Sequence, residues 1–137
     1  MNESAIALAF DTIEGGPELM QWFGRVPSFH DAEVLDFHLK RSGRSKLSIH
    51  AWNMTGKVQN GYFHSEKHAV VTFTLNRIFE LEIEGFNHQN VISGLTLKRF
   101  RSGENTVAYE LQIEPIFGLS GFARAEQVSV SYIAGKP

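Results

Sequence analysis

The chain has 137 residues, the size of one domain, and a formal net charge of -2 from 13 basic and 15 acidic residues. That balance lacks the strong basic excess of a general nucleic-acid binder. With no cysteine, it has no disulfide framework, no thiolate nucleophile and no cysteine-based zinc site. Apolar residues at 42% and charged residues at 20% suit a folded chain with a sizeable core, and the aromatic set is dominated by eleven phenylalanines.

The chain opens on Ser4 to Phe10, which reads as a short strand or a helical turn, since so few residues do not define a period. Its apolar part, Ala5 to Phe10, follows Glu3 and no basic segment, so a signal peptide is not expected. No apolar run approaches the roughly 20 residues of a membrane span, and a cytoplasmic protein is expected. Glu14-Gly15-Gly16-Pro17 is a break. Pro17 suits the first position of a helix, Glu18 its first turn, and Gly24 its end. Leu19, Met20, Trp22 and Phe23 give that helix an apolar side. It is too short to stand alone and must dock on the body.

From Glu33 the period becomes two. Leu35, Phe37 and Leu39 are expected on one face, with Val34, Asp36, His38 and Lys40 on the other. After a turn at Ser42 to Ser45, Leu47, Ile49 and Ala51 define a second strand. Asn53 to Lys67 reads as a long polar connection containing Asn60-Gly61. Val71, Phe73 and Leu75 mark a third strand. Asn76-Arg77 is expected to turn it into a fourth, with Phe79, Leu81 and Ile83 inward and Glu80, Glu82 and Glu84 outward. Val91 to Phe100 and Val107 to Glu114 follow, separated by a turn at Ser102 to Asn105. Phe122 to Glu126 and Gln127 to Ile133 are two strands or one bent one.

The pattern predicts an all-β, mainly antiparallel sandwich or half-open barrel of about seven or eight strands with a short N-terminal helix. Residues 1–137 form a single domain in this reading, with 1–27 as a cap and 28–133 as the β body.

Four groups of residues carry chemistry. His30, Asp31 and Glu33 could hold a divalent metal with His38, His50 or His64, or supply a general base oriented by an acid; in the preferred, structural reading Asp31 and Ser28 bond backbone groups at the cap-to-strand junction. His38 and His50 would approach each other if the first two strands pair, but no HxH or HExxH spacing supports a metal site. Glu80, Glu82 and Glu84, with Glu110 and Glu114, form acidic rows. If strand order follows the chain, Thr96 and Lys98 lie between them, and Lys98 partly neutralises them. Phe86-Asn87-His88-Gln89-Asn90 carries amides that either read a ligand or serve an irregular turn. Trp52, Tyr62 and Phe63 would suit a small-ligand or carbohydrate site if a pocket opened beside them.

Trp22-Phe23-Gly24 followed by Val26-Pro27-Ser28-Phe29-His30-Asp31-Ala32-Glu33-Val34 resembles the FGxWPSFHDAEV opening of the bacterial immunity protein 50 family. Val26 departs from it, standing where that pattern has an aromatic residue. Phe86-Asn87-His88-Gln89-Asn90-Val91-Ile92 resembles the family's FNxQNVI segment, and a glycine corner, Phe117-Gly118-Leu119-Ser120-Gly121, follows as expected. The resemblance spans about Met20 to Tyr132. It implies a small cytoplasmic protein of a polymorphic toxin system that binds and neutralises a cognate toxin, with no catalytic residues to transfer. It places His30, Asp31, Glu33, Phe86, Asn87, Gln89 and Asn90 in family motifs.

The expectation is therefore a toxin-binding protein, not an enzyme, with Glu80, Glu82, Glu84 and Glu110 meeting the partner and no cofactor, nucleic acid or membrane involved. A homodimer is left open. The alternative is a metal-binding module or metal-dependent enzyme built on His30, Asp31 and Glu33.

Overall fold

The computed structural model describes residues 3–59 and 62–137, the side chains of 3, 4, 7, 54–59 and 62–66 excepted. Among the described residues, two helices, α1 (Glu3–Asp11) and α2 (Gly16–Phe23), precede six strands. These are β1 (Glu33–His38), β2 (Arg44–Gln59), β3 (Tyr62–Glu84), β4 (Val91–Arg101), β5 (Val107–Phe117) and β6 (Ser120–Ala134). All strand neighbours are antiparallel, and the order β1-β2-β3-β6-β5-β4 closes into a ring where β1 returns to β4. The ring is uneven: β3 and β6 pair along most of their lengths, whereas β1 and β4 share one register pair, Glu33 with Val91. The expected antiparallel β fold is the observed one.

The strand count is lower than expected, and the reasons are local. Asn53 to Lys67 is not a loop; β2 and β3 run into it and pair there as a ribbon, and Asn60-Gly61 lies outside the described residues. There, among the described residues, the two strands pair only with each other, and Asn53 and Lys67 at the base of the ribbon donate to the Phe23 and Trp22 carbonyls of α2. Asn76-Arg77 is not a hairpin turn either. Arg77 takes a left-handed φ of 60°, and β3 kinks and continues. The last 15 residues of regular structure form one strand, β6.

The kink and a bulge before Glu80 change which side chains face inward. Val71, Phe73 and Leu75 are buried as expected. Phe79, however, is 52% exposed and Leu81 37% exposed, because β2 pairs no further along β3 than Asn76. A register shift in β1 between Val34 and Asp36 acts similarly: Val34 is buried and Phe37 partly buried, although strict alternation puts them on opposite faces.

The helices fill the ring. Phe10 of α1 and Leu19 and Phe23 of α2 join one buried cluster with residues of all six strands. Its centre is Phe73, whose ring lies 6.2 Å from that of Phe10 and 5.9 Å from that of Phe29. Ser4 to Phe10 thus resolves as helix. The α1–α2 corner presses on β6: Val130 N–H donates to the Glu14 carbonyl at 2.9 Å, and a Cβ on Gly15 would overlap the Val130 carbonyl oxygen. Gly24 ends α2 in the left-handed conformation, as expected. No helix among the described residues is long and apolar enough to cross a membrane.

Truncating Phe73 removes the side chain on which helices and strands converge. Phe73→Ala should cost about 3–5 kcal/mol in urea-induced unfolding, whereas Phe79→Ala, on an exposed side chain, should cost under about 1 kcal/mol.

Candidate functional site

The two family-like motifs meet at the point where the ring closes. Phe29 and Asp31 both adopt positive φ, 58° and 63°, so the backbone turns twice before β1 starts. The first turn buries Phe29 and leaves His30 exposed. Asp31 N–H donates to the Ile92 carbonyl (2.9 Å), Ile92 N–H to the Ala32 carbonyl (2.9 Å), and Val34 N–H to the Asn90 carbonyl (2.8 Å). The His30 ring Nδ1 lies 3.1 Å from the Ser93 carbonyl oxygen, as donor, and its Nε2 lies 3.6 Å from Asp31 Oδ2.

Asn90 is the buried polar residue of the second motif, 2% exposed. Its Oδ1 accepts from the backbone N–H groups of Asn87 and Leu119, both at 3.0 Å, and its Nδ2 donates to the Asn87 carbonyl at 2.9 Å. One carboxamide therefore holds its own turn and the β5–β6 corner together. Gly118 is required there, since a Cβ would lie 2.5 Å from Asn90 Oδ1 and 2.6 Å from the Gln89 carbonyl oxygen, on a φ of 92°. Of the two uses open to these amides, Asn90 serves the turn. Asn87 Oδ1 accepts from His88 N–H, while Phe86 and Gln89 are exposed.

The acidic residues lie elsewhere, on the outer face of β3, β6, β5 and β4. Glu80 pairs in register with Arg124, Arg124 with Glu110, and Glu110 with Lys98. Thr96 and Lys98 do not lie between the acids, because β6 and not β4 separates β3 from β5. Arg124 occupies that place: its Nη1 donates to Glu80 at 2.8 Å and its Nε to Glu110 at 2.9 Å. The Glu110 hydrogen bond, then the negative charge of Glu80, raises the Arg124 pKa above its ordinary value. Glu82 and Glu84 make no ion pair among the described residues, and Glu114 is exposed.

Sequence reasoning missed the aromatic part of this face. The Arg124 guanidinium carbon lies 5.5 Å from the Phe100 ring centre and 5.3 Å from that of Phe122. Phe79, turned outward beside the bulge, meets Phe100 edge to face at 6.5 Å. The signal available was the Phe-heavy aromatic set. The face that results joins aromatic rings, one arginine and carboxylates.

The histidine pair that the alternative reading needed, His38 with His50, does not form. His50 lies opposite Glu33 and His38 opposite Lys46, at the two ends of the β1–β2 pairing, so His38 and His50 do not approach. His50 Nε2 meets His68 Nδ1 instead, at 3.0 Å, with Trp52 packed against both rings at 4.9 and 5.7 Å. Among the described residues no group of three His, Asp or Glu is gathered to hold a metal ion. The side chains of His64, Tyr62 and Phe63 lie outside the described ones. Partial burial lowers the His50 pKa most, followed by the His68 charge, against a raising effect of Glu33. Burial and then Lys136 lower that of His68.

Residues 16–134 match the model of the family described as Immunity protein 50. No curated protein and no solved structure matches the chain.

Asn90→Ala leaves the Leu119 and Asn87 N–H groups without their acceptor and the Asn87 carbonyl without its donor, and should destabilise the fold by at least about 2 kcal/mol in denaturant unfolding; Asn90→Asp, which keeps the acceptor but loses the donor and buries a charge, should destabilise it as well. The histidine pair makes stability depend on pH. Both imidazoles hold protons less tightly in the folded state, so stability is complete above about pH 6.5 and falls as the pH drops below it. A Tm series from pH 7.5 to 5 should fall more steeply for the wild-type chain than for His50→Gln/His68→Gln.

Proposed function

The chain belongs to the Immunity protein 50 family, and from that membership we propose that it binds a cognate bacterial toxin in the cytoplasm and neutralises it by occlusion, with no catalysis of its own. The observation that carries the choice of surface is the outer face around Arg124, built from Phe79, Phe100, Phe122, Glu80 and Glu110. Aromatic residues and arginine supply most hot spots of protein interfaces, and here the arginine is fixed in advance by two carboxylates and two rings. A pre-oriented side chain loses little freedom on binding.

Glu82 and Glu84 extend the same face with charge that no cation of the described chain neutralises. Such a rim attracts a basic partner and raises the association rate more than the final affinity. A stable complex buries on the order of 1,600 Å² in total, so the contact would reach beyond these residues onto neighbouring strands. In this reading the motif residues His30, Asp31, Glu33, Asn87, Gln89 and Asn90 keep the ring closed, and Phe86 stands at the border of the binding face.

The experiment is stopped-flow association with the cognate toxin domain. Glu82→Lys/Glu84→Lys should slow association about tenfold at low salt, with the difference shrinking as salt rises. An unchanged rate at low salt would remove the acidic rim from the mechanism.

A further inference from the structure

The second half of β3 has a strand neighbour on one side only. β2 leaves it at the Arg44–Asn76 pair, while β6 accompanies it to Glu84. From 78 to 84, alternate residues therefore turn backbone N–H and C=O groups outward with no strand partner among the described residues. The side chains here form two rows. Leu81 and Ile83 share a face with their register partners Ala123 and Gly121, and Glu82 and Glu84 share the other with Phe122 and Ser120. The strand ends at a corner where Gly85 closely approaches the Gly118 carbonyl, flanked by Phe86 and Phe117, which are 53% and 50% exposed.

We infer that the edge formed by residues 78–84 is a strand-addition site, occupied by an extended segment of the toxin that carries Lys or Arg at alternate positions with apolar residues between them. This deepens the toxin-binding reading above and rests on it for the identity of the partner. The unpaired backbone groups accept an added strand through main-chain hydrogen bonds. Charge selects which strand. Basic side chains on the added segment would stand beside Glu82 and Glu84, while its other row would extend the partly exposed apolar strip of Leu81 and Ile83. The same charges act against a second copy of this chain. An antiparallel copy that keeps the outer faces on one side sets Glu80, Glu82 and Glu84 against their own counterparts, and the repulsion of like charges protects an edge from self-pairing.

The test is amide hydrogen exchange on the full chain with two separate probes. One is a terminally blocked peptide alternating Lys and Val, equal in length to residues 78–84; the other is the cognate toxin domain. Each, at about ten times its Kd, should slow the exchange of alternate amides within 78–84 about tenfold. A Glu–Val peptide should not, and Glu82→Lys/Glu84→Lys should raise the Kd of the Lys–Val peptide about tenfold. Protection of neither kind overturns the site, as does concentration-dependent protection in the chain alone, which would assign the edge to a second copy. If the toxin binds but protects other amides, the edge is wrong and the toxin-binding reading stands. If the toxin fails to bind while the Lys–Val peptide protects 78–84, the toxin-binding reading falls and the edge stands as an acceptor of basic strands.

Discussion

The closure between β1 and β4 depends on backbone hydrogen bonds and one buried carboxamide. Long ladders hold β3 to β2 and β6 through many register pairs. The β1–β4 contact has no such reserve: it is one register pair and the bonds of Asp31, Ile92 and Val34 on either side of it. Asn90 sits at its end, its backbone carbonyl accepting from Val34 while its side chain ties the 87–90 turn to Leu119. A buried amide in this position specifies geometry, because misplacing it leaves several polar groups unpaired at once. The segments around Asp31 and Asn90 are gathered at this closure, as the two strand starts that meet there.

Closing the ring there frees the opposite side of the molecule. With the helices and Phe73 filling the interior, the outer face of β3, β6, β5 and β4 contributes little to the core. It carries instead the Arg124 cluster and an acidic rim, and β3 outruns β2 to leave an open edge. The same chain thus separates a part that must be invariant in geometry from a part that can change its side chains. That separation suits a family whose members would each match a different partner surface.

Much of the fold could be read from alternation alone. Leu47, Ile49 and Ala51, and Val71, Phe73 and Leu75, were placed inward by period and are buried. Gly24 and Pro17 located α2 by backbone chemistry. The failures share a cause. Asn76-Arg77 carries turn-compatible residues, and a left-handed residue can either reverse a strand or kink it; only the distant β6 ladder decides which. The ribbon of β2 and β3 between Asn53 and Lys67 is polar in sequence and shows no clear alternation, so its pairing was not legible. The acidic face was seen, but its cation was misassigned to Lys98, because strand order and not chain order sets neighbours in a sheet. For His30, Asp31 and Glu33 the sequence left a junction reading and a metal alternative open, and the two left-handed residues at 29 and 31 direct that segment to β4.

The central claim is that the motif residues close the ring and the outer face of β3 and β6 recognises the toxin. The most direct measurement is the toxin's Kd for two surface double variants compared at a temperature where both are folded. Phe79→Ala/Phe122→Ala should weaken binding by about 30-fold or more, the loss expected when hot-spot rings are removed. His30→Ala/Gln89→Ala should stay within about threefold of the wild type. The reverse order of effects would place recognition at the closure and contradict the account.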